Sequence, residues 1–460
     1  MTRRVFLRLQ IILLLLFFMI GSSLQTQAAQ QNPKDIDFSS VVVMGDSLSH
    51  SYHDGVLHAD AQNQNYVSLL SKQLGFQLRQ AIIAEPGGFG GRFSLKDPNI
   101  PVRPLNANTF LNLTLPPIPR TAGRVDPSVR VNNFAIGGAK VTDIINARPD
   151  ASRPNDAVFS SLGVPWLSDN PPVKRSQLEF VETMSPKPTL AILLIGGNDA
   201  LGAAFNSNLS LLTPVDKFTS DYEEIVRRTK ATGSQMILVT VPDVVTVAAF
   251  ISAKDLMTFI PIPKEMFTQK TGIKPEDFVT LRAFSSLIDI VFGRSNGPVP
   301  EDQILRASMA KQISKTIKKY NKNIQKIGKR EGFLVIDVNK FMALASKDKG
   351  FPVGNNLFIT NKYFGGVASF DGIHLSITAN AVLANVFIDE INKFYKKSFP
   401  MVDVAPIAMA DPQVPKPVTA VQPIEDTVLP NEMDWQLAKP QFDAMSEAIR
   451  NLINGNSDQQ

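Results

Sequence analysis

Two short blocks of sequence, more than three hundred residues apart, hold the residue types that nucleophilic catalysis needs. Ser47 lies in the block Gly45–Leu48, directly after the apolar run 41–44. Asp371 stands three residues before His374, which is the only histidine beyond residue 58 in a chain that has four. A serine hydroxyl attacks only when a base takes its proton, and a carboxylate can orient that base. The two blocks therefore predict a nucleophile, a base and an orienting acid.

The position of each block favours this chemistry, although each also has an ordinary structural interpretation. Gly45 permits a tight turn after a strand, so that Ser47 projects at the carboxyl edge of a parallel sheet, where ligands bind. Gly-Asp-Ser is also common in plain turns. A helical or turn-like backbone places Asp371 and His374 on one side, with the carboxylate on Nδ1 and with Nε2 facing the serine. By itself, however, this pair favours a helix start that is capped by Asp371.

Two further loops follow predicted strands and carry donors for an oxyanion. Asn198, in the block Gly196–Asp199, can donate its side-chain N–H. The run Asn133–Ala139 contains Gly137 and Gly138, either of which can turn a backbone N–H toward the same point. Four loops of the right type at strand carboxyl ends are hard to attribute to chance.

With all four blocks in order, the chain resembles the GDSL family, also called SGNH hydrolases. The resemblance implies that Ser47 is the nucleophile, His374 the base and Asp371 the partner of that base. It also implies that Gly138, in preference to Gly137, donates a backbone N–H to the oxyanion. Asn198 is implied to donate a side-chain N–H to the same oxyanion.

The resemblance covers roughly residues 40–398 and implies a flavodoxin-like, three-layer α/β/α sandwich with a central parallel sheet. It implies esterase, lipase, lysophospholipase or acyltransferase activity without a cofactor. Two positions depart from the family pattern. Ala379, five residues after the histidine, replaces a common glycine and should do no harm. His50 stands where aspartate is common, and it changes the charge beside the site.

The order of predicted elements indicates an α/β fold on independent grounds. Apolar runs predict strands at Ser40–Met44, Val129–Phe134, Thr189–Ile195, Gln235–Val241 and Phe333–Val338. Helical periodicity predicts helices at Asn63–Leu74, Val215–Lys230, Gln303–Lys329 and Ser376–Tyr395. Strands that alternate with helices predict a parallel sheet covered by helices.

One large hydrolase domain is predicted over residues 38–398, with two insertions. The first, at about 77–127, is rich in Gly and Pro and predicts a long ordered excursion. The second, at about 243–300, is rich in large apolar residues. It forms either a cap over the strand ends or an extension of the core, and the sequence favours neither.

The character of the sequence changes after residue 399. Residues 400–436 are Pro-rich and lack periodicity, which predicts a linker. Residues 437–460 are predicted to form a short helix and tail, with Pro440 in the first helical turn. The apolar stripe of this helix predicts docking on the main domain or on a partner.

The N-terminus predicts export. Residues 1–29 combine three arginines, an apolar run at Ile11–Ile20 and small residues before the expected cleavage site. The run is short for a membrane span, so cleavage is favoured over an anchor. The chain has no cysteine, which excludes disulfides, a thiolate nucleophile and a lipid-modified cysteine. We therefore expect a secreted or periplasmic protein that is not lipidated there.

The charge of the chain does not indicate a nucleic-acid partner. The formal net charge is +5, but the predicted signal peptide holds three of the basic residues, which leaves +2. So small a value argues against nucleic-acid binding. Lysines along the predicted helix 303–329 are interpreted as a solvated face, with peripheral attraction to an anionic membrane as the weaker alternative.

Two rival functions come from other parts of the sequence. His50, His53 and His58, with Asp54 and Asp60, could hold a metal and so indicate a metal phosphoesterase. The further ligands of such an enzyme are not evident, so no metal is predicted. The tail and its end helix suggest the second rival, a non-catalytic envelope protein on a hydrolase fold.

The sequence as a whole predicts a serine esterase that works through an acyl-enzyme and uses no cofactor. The apolar insertion favours lipid or lysophospholipid esters, and acyl transfer to an alcohol stays open. An acetyl esterase acting on cell-envelope carbohydrate is the alternative. The predicted partner is a small-molecule or lipid ester. The sequence does not predict the oligomeric state.

Overall fold

The computed structural model describes residues 35–454, apart from 86, 89–90, 117–122, 127, 149–173, 261, 348 and 418–429. The predicted signal peptide, residues 1–29, lies outside the described residues. Among the described helices, none combines the length and apolarity that crossing a membrane requires.

Eleven strands form one central sheet and three small ones in the described part of the chain. The central sheet has the order β1-β4-β5-β9, and all its strand pairs are parallel. In chain order the strands are β1 (Val41–Gly45), β2 (Ser94–Leu95), β3 (Leu113–Thr114), β4 (Leu190–Leu194), β5 (Gln235–Val239), β6 (Ile251–Ser252), β7 (Phe278–Val279), β8 (Ile304–Leu305), β9 (Leu334–Ile336), β10 (Phe351–Gly354) and β11 (Leu357–Ile359).

Helices flank this sheet and also build the insertions and the C-terminal region. They are α1 (Ser47–His50), α2 (Ala59–Gln64), α3 (Tyr66–Leu74), α4 (Ala107–Asn112), α5 (Val141–Asn146), α6 (Gln177–Thr183), α7 (Asn198–Phe205), α8 (Val215–Ala231), α9 (Ala253–Leu256), α10 (Lys264–Thr271), α11 (Phe284–Val291), α12 (Ala307–Glu331), α13 (Asn339–Ala345), α14 (Ile377–Tyr395), α15 (Val404–Ala410) and α16 (Glu432–Asn454). Short 3₁₀ turns lie at Leu209–Leu211, Val244–Thr246, Leu281–Ala283 and Glu301–Gln303.

The alternation of side chains along each strand produces the three layers. Val41 and Val43 of β1 face the cluster that contains α3 and α14. Val42 and Met44 face the opposite cluster, which contains α5, α6, α8 and α12. Because successive side chains of a strand point to opposite faces, a strand that is apolar throughout is covered on both sides. This confirms the predicted α/β/α sandwich with a central parallel sheet.

The predicted strand Val129–Phe134 is wrong as a regular strand. The segment makes a single parallel bridge, between Val43 and Asn133, at the edge of β1. The side chain of Asn132 competes for the backbone groups that a ladder would use, because Nδ2 donates to the carbonyl of Val41 at 3.0 Å. The segment still lies where the second strand of the flavodoxin-like order 2-1-3-4-5 belongs.

The second insertion extends the core. Buried side chains of residues 250–267, among them Phe250, Leu256 and Phe267, join the same apolar cluster as the central sheet. Of the two interpretations that the sequence left open, the structure therefore favours core extension over a cap for these residues.

The C-terminal region differs from the prediction. The predicted linker, residues 400–436, contains α15, and Ala408 and Val414 are buried against residues of α14. Helix α16 begins at Glu432 and carries Pro440 inside it, not in its first turn. The linker prediction is therefore wrong over α15, because a few apolar contacts outweigh the Pro-rich composition. Residues 418–429 lie outside the described residues.

Candidate active site

Ser47 is the first residue of α1, at the carboxyl end of β1. Only glycine fits two residues before Ser47, because a Cβ on Gly45 would overlap the carbonyl oxygen of Leu194. Asp46 caps α1, since its Oδ1 accepts the N–H of Leu48 at 3.0 Å. The N–H of Ser47 has no intrahelical acceptor, and it donates to no other group among the described residues. The turn therefore offers a hydroxyl and a backbone donor side by side.

Asp371 and His374 form a hydrogen-bonded pair in a turn. Asp371 Oδ2 lies 2.7 Å from His374 Nδ1, and both side chains are buried. Asp371 Oδ1 accepts the N–H groups of Ile373 and His374, while Oδ2 also accepts the N–H of Gly55 at 2.7 Å. The next helix, α14, is capped by Ser376, so the alternative in which Asp371 caps a helix is wrong.

This environment sets the protonation of the pair. Burial opposes ionisation of Asp371, but the charge and side-chain hydrogen bond of His374, with the backbone N–H groups of Ile373 and His374, outweigh it and hold the pKa of Asp371 below its ordinary value. The carboxylate therefore fixes the proton of His374 on Nδ1 and leaves Nε2 to act on a nucleophile.

The two predicted oxyanion donors, Gly138 and Asn198, lie on neighbouring loops. Asn198 Nδ2 donates to the carbonyl of Ala139 at 3.0 Å. Gly138 has a φ of 78°, a conformation that glycine adopts readily, and its N–H donates to no acceptor among the described residues. The N–H of Gly137, by contrast, donates to His50 Nδ1 at 3.1 Å. The structure therefore favours Gly138 over Gly137 as the backbone donor.

Residues 52–55 connect the serine block with the histidine block. The N–H of Tyr52 donates to the carbonyl of Ser47 at 3.0 Å, and the ring of Tyr52 stacks on that of His374 with centroids 5.5 Å apart. The N–H of Gly55 reaches Asp371, as described above. No hydrogen bond joins Ser47 Oγ to His374 Nε2 in the structure, and such contacts can tighten only when substrate binds.

Two side chains that hydrogen-bond to the backbone around Ser47 were not predicted from the sequence. The side-chain amide of Gln177 accepts from the N–H of Gly45 at 2.9 Å and donates to its carbonyl at 3.0 Å. Asn133 Nδ2 donates to the carbonyl of Ser49 at 2.8 Å. Asn133 lies in the second block, so its position could have suggested a role, whereas Gln177 lies in no motif.

Two other carboxyl groups beside the site are buried. Burial raises the pKa of Asp46 to about 7, although the N–H of Leu48 offsets part of the effect. Burial also raises the pKa of Asp199 to about 6, against the N–H of Val141, which donates to Asp199 Oδ2 at 3.0 Å. The carboxylate of Asp199 further raises the pKa of Asp46. The turn after β1 thus holds a carboxyl that titrates near neutral pH.

A second histidine–carboxylate pair, His53 and Asp54, contacts the segment just before Asp371. His53 Nδ1 is 3.1 Å from Asp54 Oδ2. Asp54 Oδ1 accepts the N–H of Phe370 at 2.9 Å and the side-chain N–H of Gln413 at 2.6 Å. The N–H of Asp54 donates to Ser369 Oγ at 3.0 Å. This pair therefore supports the loop that carries Asp371.

The remaining histidines do not share one metal site. The nearest ligand atoms of His58, Asp60 and Glu85 lie within 4.8 Å of one another. The guanidinium of Arg92 lies 3.6 Å from Glu85 Oε2, however, and its positive charge disfavours a cation there. His50 is turned to the amide of Gly137. The three histidines of the metal alternative are therefore divided between two environments.

An apolar pocket borders both catalytic blocks. Leu48, next to the nucleophile, and Ile373 and Leu375, on either side of His374, form part of its wall. Its empty volume, including the open mouth, is about 610 Å³. Other wall residues are Val338, Phe341, Met342, Leu383, Val247 and Ala248.

Comparison with solved structures gives distant likenesses. The acetyl xylan esterase AlAXEase is 16% identical, with 76% of this chain and 99% of that chain covered and a TM-score of 0.31. TesA is 12% identical, with 77% and 98% covered and a TM-score of 0.32. A catalytic mutant of Axe2, an acetylxylan esterase from Geobacillus stearothermophilus, is 13% identical, with 78% and 96% covered and a TM-score of 0.33. TM-scores this low indicate nothing about the substrate.

A search of curated proteins found no match to the chain. The model of the GDSL-like lipase/acylhydrolase family matches residues 41–387, which is well over half of the chain and includes all four blocks. The chain therefore belongs to the GDSL-like lipase/acylhydrolase family and is an ester hydrolase.

Proposed function

We propose that the protein is a serine hydrolase that cleaves carboxylic esters of apolar acyl chains through an acyl-enzyme. The observation that carries the serine mechanism is the Asp371–His374 pair at 2.7 Å, which is linked to the Ser47 turn through Tyr52 and Gly55. The proposed oxyanion donors are Asn198 and the N–H groups of Ser47 and Gly138, which donate to no acceptor within the described part of the chain.

The proposed reaction proceeds in two halves. Ser47 Oγ bonds to the ester carbonyl carbon while its proton passes to His374 Nε2, and the oxyanion is held by the N–H groups of Ser47, Gly138 and Asn198. The carbon–oxygen bond to the leaving alcohol then breaks, and that alcohol takes the proton from His374. Water, or another alcohol, repeats these steps on the acyl-enzyme and releases Ser47.

The apolar pocket supports a lipid-type acyl group as substrate. Its wall includes immediate chain neighbours of both Ser47 and His374, and nearly all of its lining is aliphatic or aromatic. Each buried methylene contributes roughly 0.8 kcal/mol, so longer chains gain binding energy there. Lipid or lysophospholipid esters are therefore the proposed class.

The nucleophile is tested with Ser47→Ala and the matched variant Ser49→Ala. Ser49 Oγ is hydrogen-bonded to the hydroxyl of Tyr66 at 2.6 Å and takes no part in the proposed reaction. We expect wild type and Ser49→Ala to react with a fluorophosphonate probe and to hydrolyse p-nitrophenyl esters. Ser47→Ala should do neither. Turnover by Ser47→Ala at the wild-type rate would refute the serine mechanism.

The acyl group is tested with a series of p-nitrophenyl esters from acetate to decanoate. We expect kcat/KM to rise with chain length in wild type, and to rise less in Met342→Trp, where the larger side chain fills the pocket. Met409→Trp is the control, because Met409 is 52% exposed and does not line the pocket. A steady fall in kcat/KM from acetate to decanoate would favour an acetyl esterase.

Export completes the proposal. The arginines and apolar run of residues 1–29 support a cleaved signal peptide and a periplasmic or secreted enzyme. Sequencing the N-terminus of the protein from the extracytoplasmic fraction of a producing cell tests this. A protein that keeps residues 1–29 and stays in the cytoplasm would refute it.

A further inference from the structure

Two side chains at the end of α1, His50 and Tyr52, reach from the nucleophile turn to the other catalytic loops. Both are buried, at 5% and 4% exposed. Neither carries out a step of the proposed reaction. Their contacts nevertheless involve the oxyanion loop Gly137–Gly138 and the imidazole of His374.

His50 controls which amide of the oxyanion loop is available. Its Nδ1 accepts the N–H of Gly137 at 3.1 Å, so this nitrogen carries no proton and the ring is neutral. The engaged N–H fixes the Ile136–Gly137 peptide, so only the two backbone dihedrals of Gly137 separate this fixed plane from the peptide that carries the Gly138 N–H. Burial lowers the pKa of His50 to about 3, so the ring keeps its acceptor nitrogen throughout the neutral range.

Tyr52 fixes the distance between the oxyanion loop and the base. A Cβ on Gly137 would overlap the edge of the Tyr52 ring, so the loop backbone lies directly against that ring. The same ring lies 5.5 Å from the ring of His374 at 30°, and 5.7 Å from the ring of His50. Its backbone N–H is bonded to the carbonyl of Ser47. One residue thus touches the nucleophile turn, the oxyanion loop and the base.

We infer that His50 and Tyr52 are positioning residues of this hydrolase, which hold the Gly138 N–H and the His374 imidazole in register with Ser47. The inference rests on the proposed serine mechanism. A displacement of about 1 Å at such a site can cost about 10²-fold in rate, and the loss of one oxyanion donor costs about 10²–10³-fold. Loss of either positioning residue is therefore expected to lower kcat and not substrate binding.

The chain offers matched substitutions at both positions. His50→Asn keeps an acceptor oxygen close to the place of Nδ1, whereas His50→Leu removes it. Tyr52→Phe keeps the ring, whereas Tyr52→Leu removes it. Tyr395→Leu removes a buried tyrosine ring at the far end of α14, some 27 Å along the helix from its start, and serves as the control for lost packing.

The experiment measures kcat and KM on a p-nitrophenyl ester, the rate of fluorophosphonate labelling and the thermal midpoint of each variant. We expect His50→Leu and Tyr52→Leu to lose about 10²-fold in kcat and in labelling rate, with KM within about threefold of wild type. For His50→Asn and Tyr52→Phe, kcat and the labelling rate should stay within about tenfold of wild type. Tyr395→Leu should lower the thermal midpoint and leave kcat unchanged.

The outcomes separate this inference from the proposed function. If wild type is labelled at Ser47 and His50→Leu and Tyr52→Leu keep kcat within about twofold, the positioning role is refuted and the serine mechanism stands. If His50→Asn is impaired as much as His50→Leu, the hydrogen bond to Gly137 is not the cause. If wild type itself is neither labelled nor active, the serine mechanism has failed. Should Tyr52→Leu not fold, the two His50 variants decide the matter.

Discussion

The molecule contains two buried histidine–aspartate pairs that are neighbours in the fold, and they differ in what surrounds them. Asp371 and His374 lie in a turn that faces the nucleophile block, with the carboxylate satisfied by three backbone N–H groups. His53 and Asp54 lie behind it, and Asp54 contacts the backbone of Phe370.

The difference between the pairs shows why a histidine–carboxylate contact is not by itself a sign of catalysis. His374 has a serine turn and two oxyanion donors within the same group of loops. His53 has as its neighbour His58, whose Nε2 lies 3.4 Å from His53 Nδ1, and no hydrogen-bond partner for its own Nε2 among the described residues. In the proposed mechanism the first pair moves a proton to the substrate, while the second pair supports the loop of the first.

The largest expected effect is a difference in kcat when the same substitution, histidine to asparagine, is made at His374 and at His53. His374→Asn should lower kcat by about 10⁶-fold, because an amide cannot act as the base. His53→Asn should stay within about tenfold of wild type, because the amide can still donate to Asp54. Steady-state hydrolysis of a p-nitrophenyl ester measures both. Equal losses in the two variants would mean that the second pair also takes part in proton transfer.

The next effect separates the two carboxylates. Asp371→Asn should lower kcat by about 10⁴-fold, because the amide no longer holds the proton of His374 on Nδ1. Asp54→Asn keeps its size and one acceptor oxygen, so we expect at most about a tenfold loss. The two variants are compared at one pH by hydrolysis rate and by fluorophosphonate labelling. An Asp54→Asn loss close to that of Asp371→Asn would contradict a supporting role.

The smallest effect concerns stability and not rate. Because the pKa of Asp46 is raised from 3.8 to about 7, the native state holds a proton that the unfolded chain releases between these values. The native state therefore binds more protons in that range, and the free energy of unfolding falls as the pH rises through it. Asp46→Asn keeps the cap on α1 and removes this dependence.

Urea unfolding from about pH 4 to about pH 8 measures the prediction. Asp46→Asn should be close to wild type at the acid end and more stable by roughly 2–4 kcal/mol at the alkaline end. Asp60→Asn is the control for replacing an exposed carboxyl group. A constant difference between Asp46→Asn and wild type across this pH range would show that Asp46 ionises normally.

The local geometry of the Ser47 block and of the Asp371–His374 block could be predicted, because short spacing in the sequence determines it. A glycine two residues before Ser47, and a separation of three positions between Asp371 and His374, restrict the local backbone strongly. Gln177 and Gln413 could not be predicted, because each contacts a site residue that is more than a hundred positions away, and nothing in its own neighbourhood marks it. The sequence of residues 129–134 predicts a regular strand, and this is wrong because apolar content does not reveal that the side chain of Asn132 bonds to the backbone carbonyl of Val41.

The contact between Gln413 and Asp54 has a consequence for how the enzyme matures. Asp411 accepts the N–H and hydroxyl of Thr378 near the start of α14, and Gln413 completes the carboxylate that supports the Asp371 loop. During synthesis Asp411 and Gln413 emerge after every residue of the predicted site. A nascent chain, or one cut near residue 400, would hold Ser47, Gly138, Asn198, Asp371 and His374 and still lack the contacts that support the Asp371 loop.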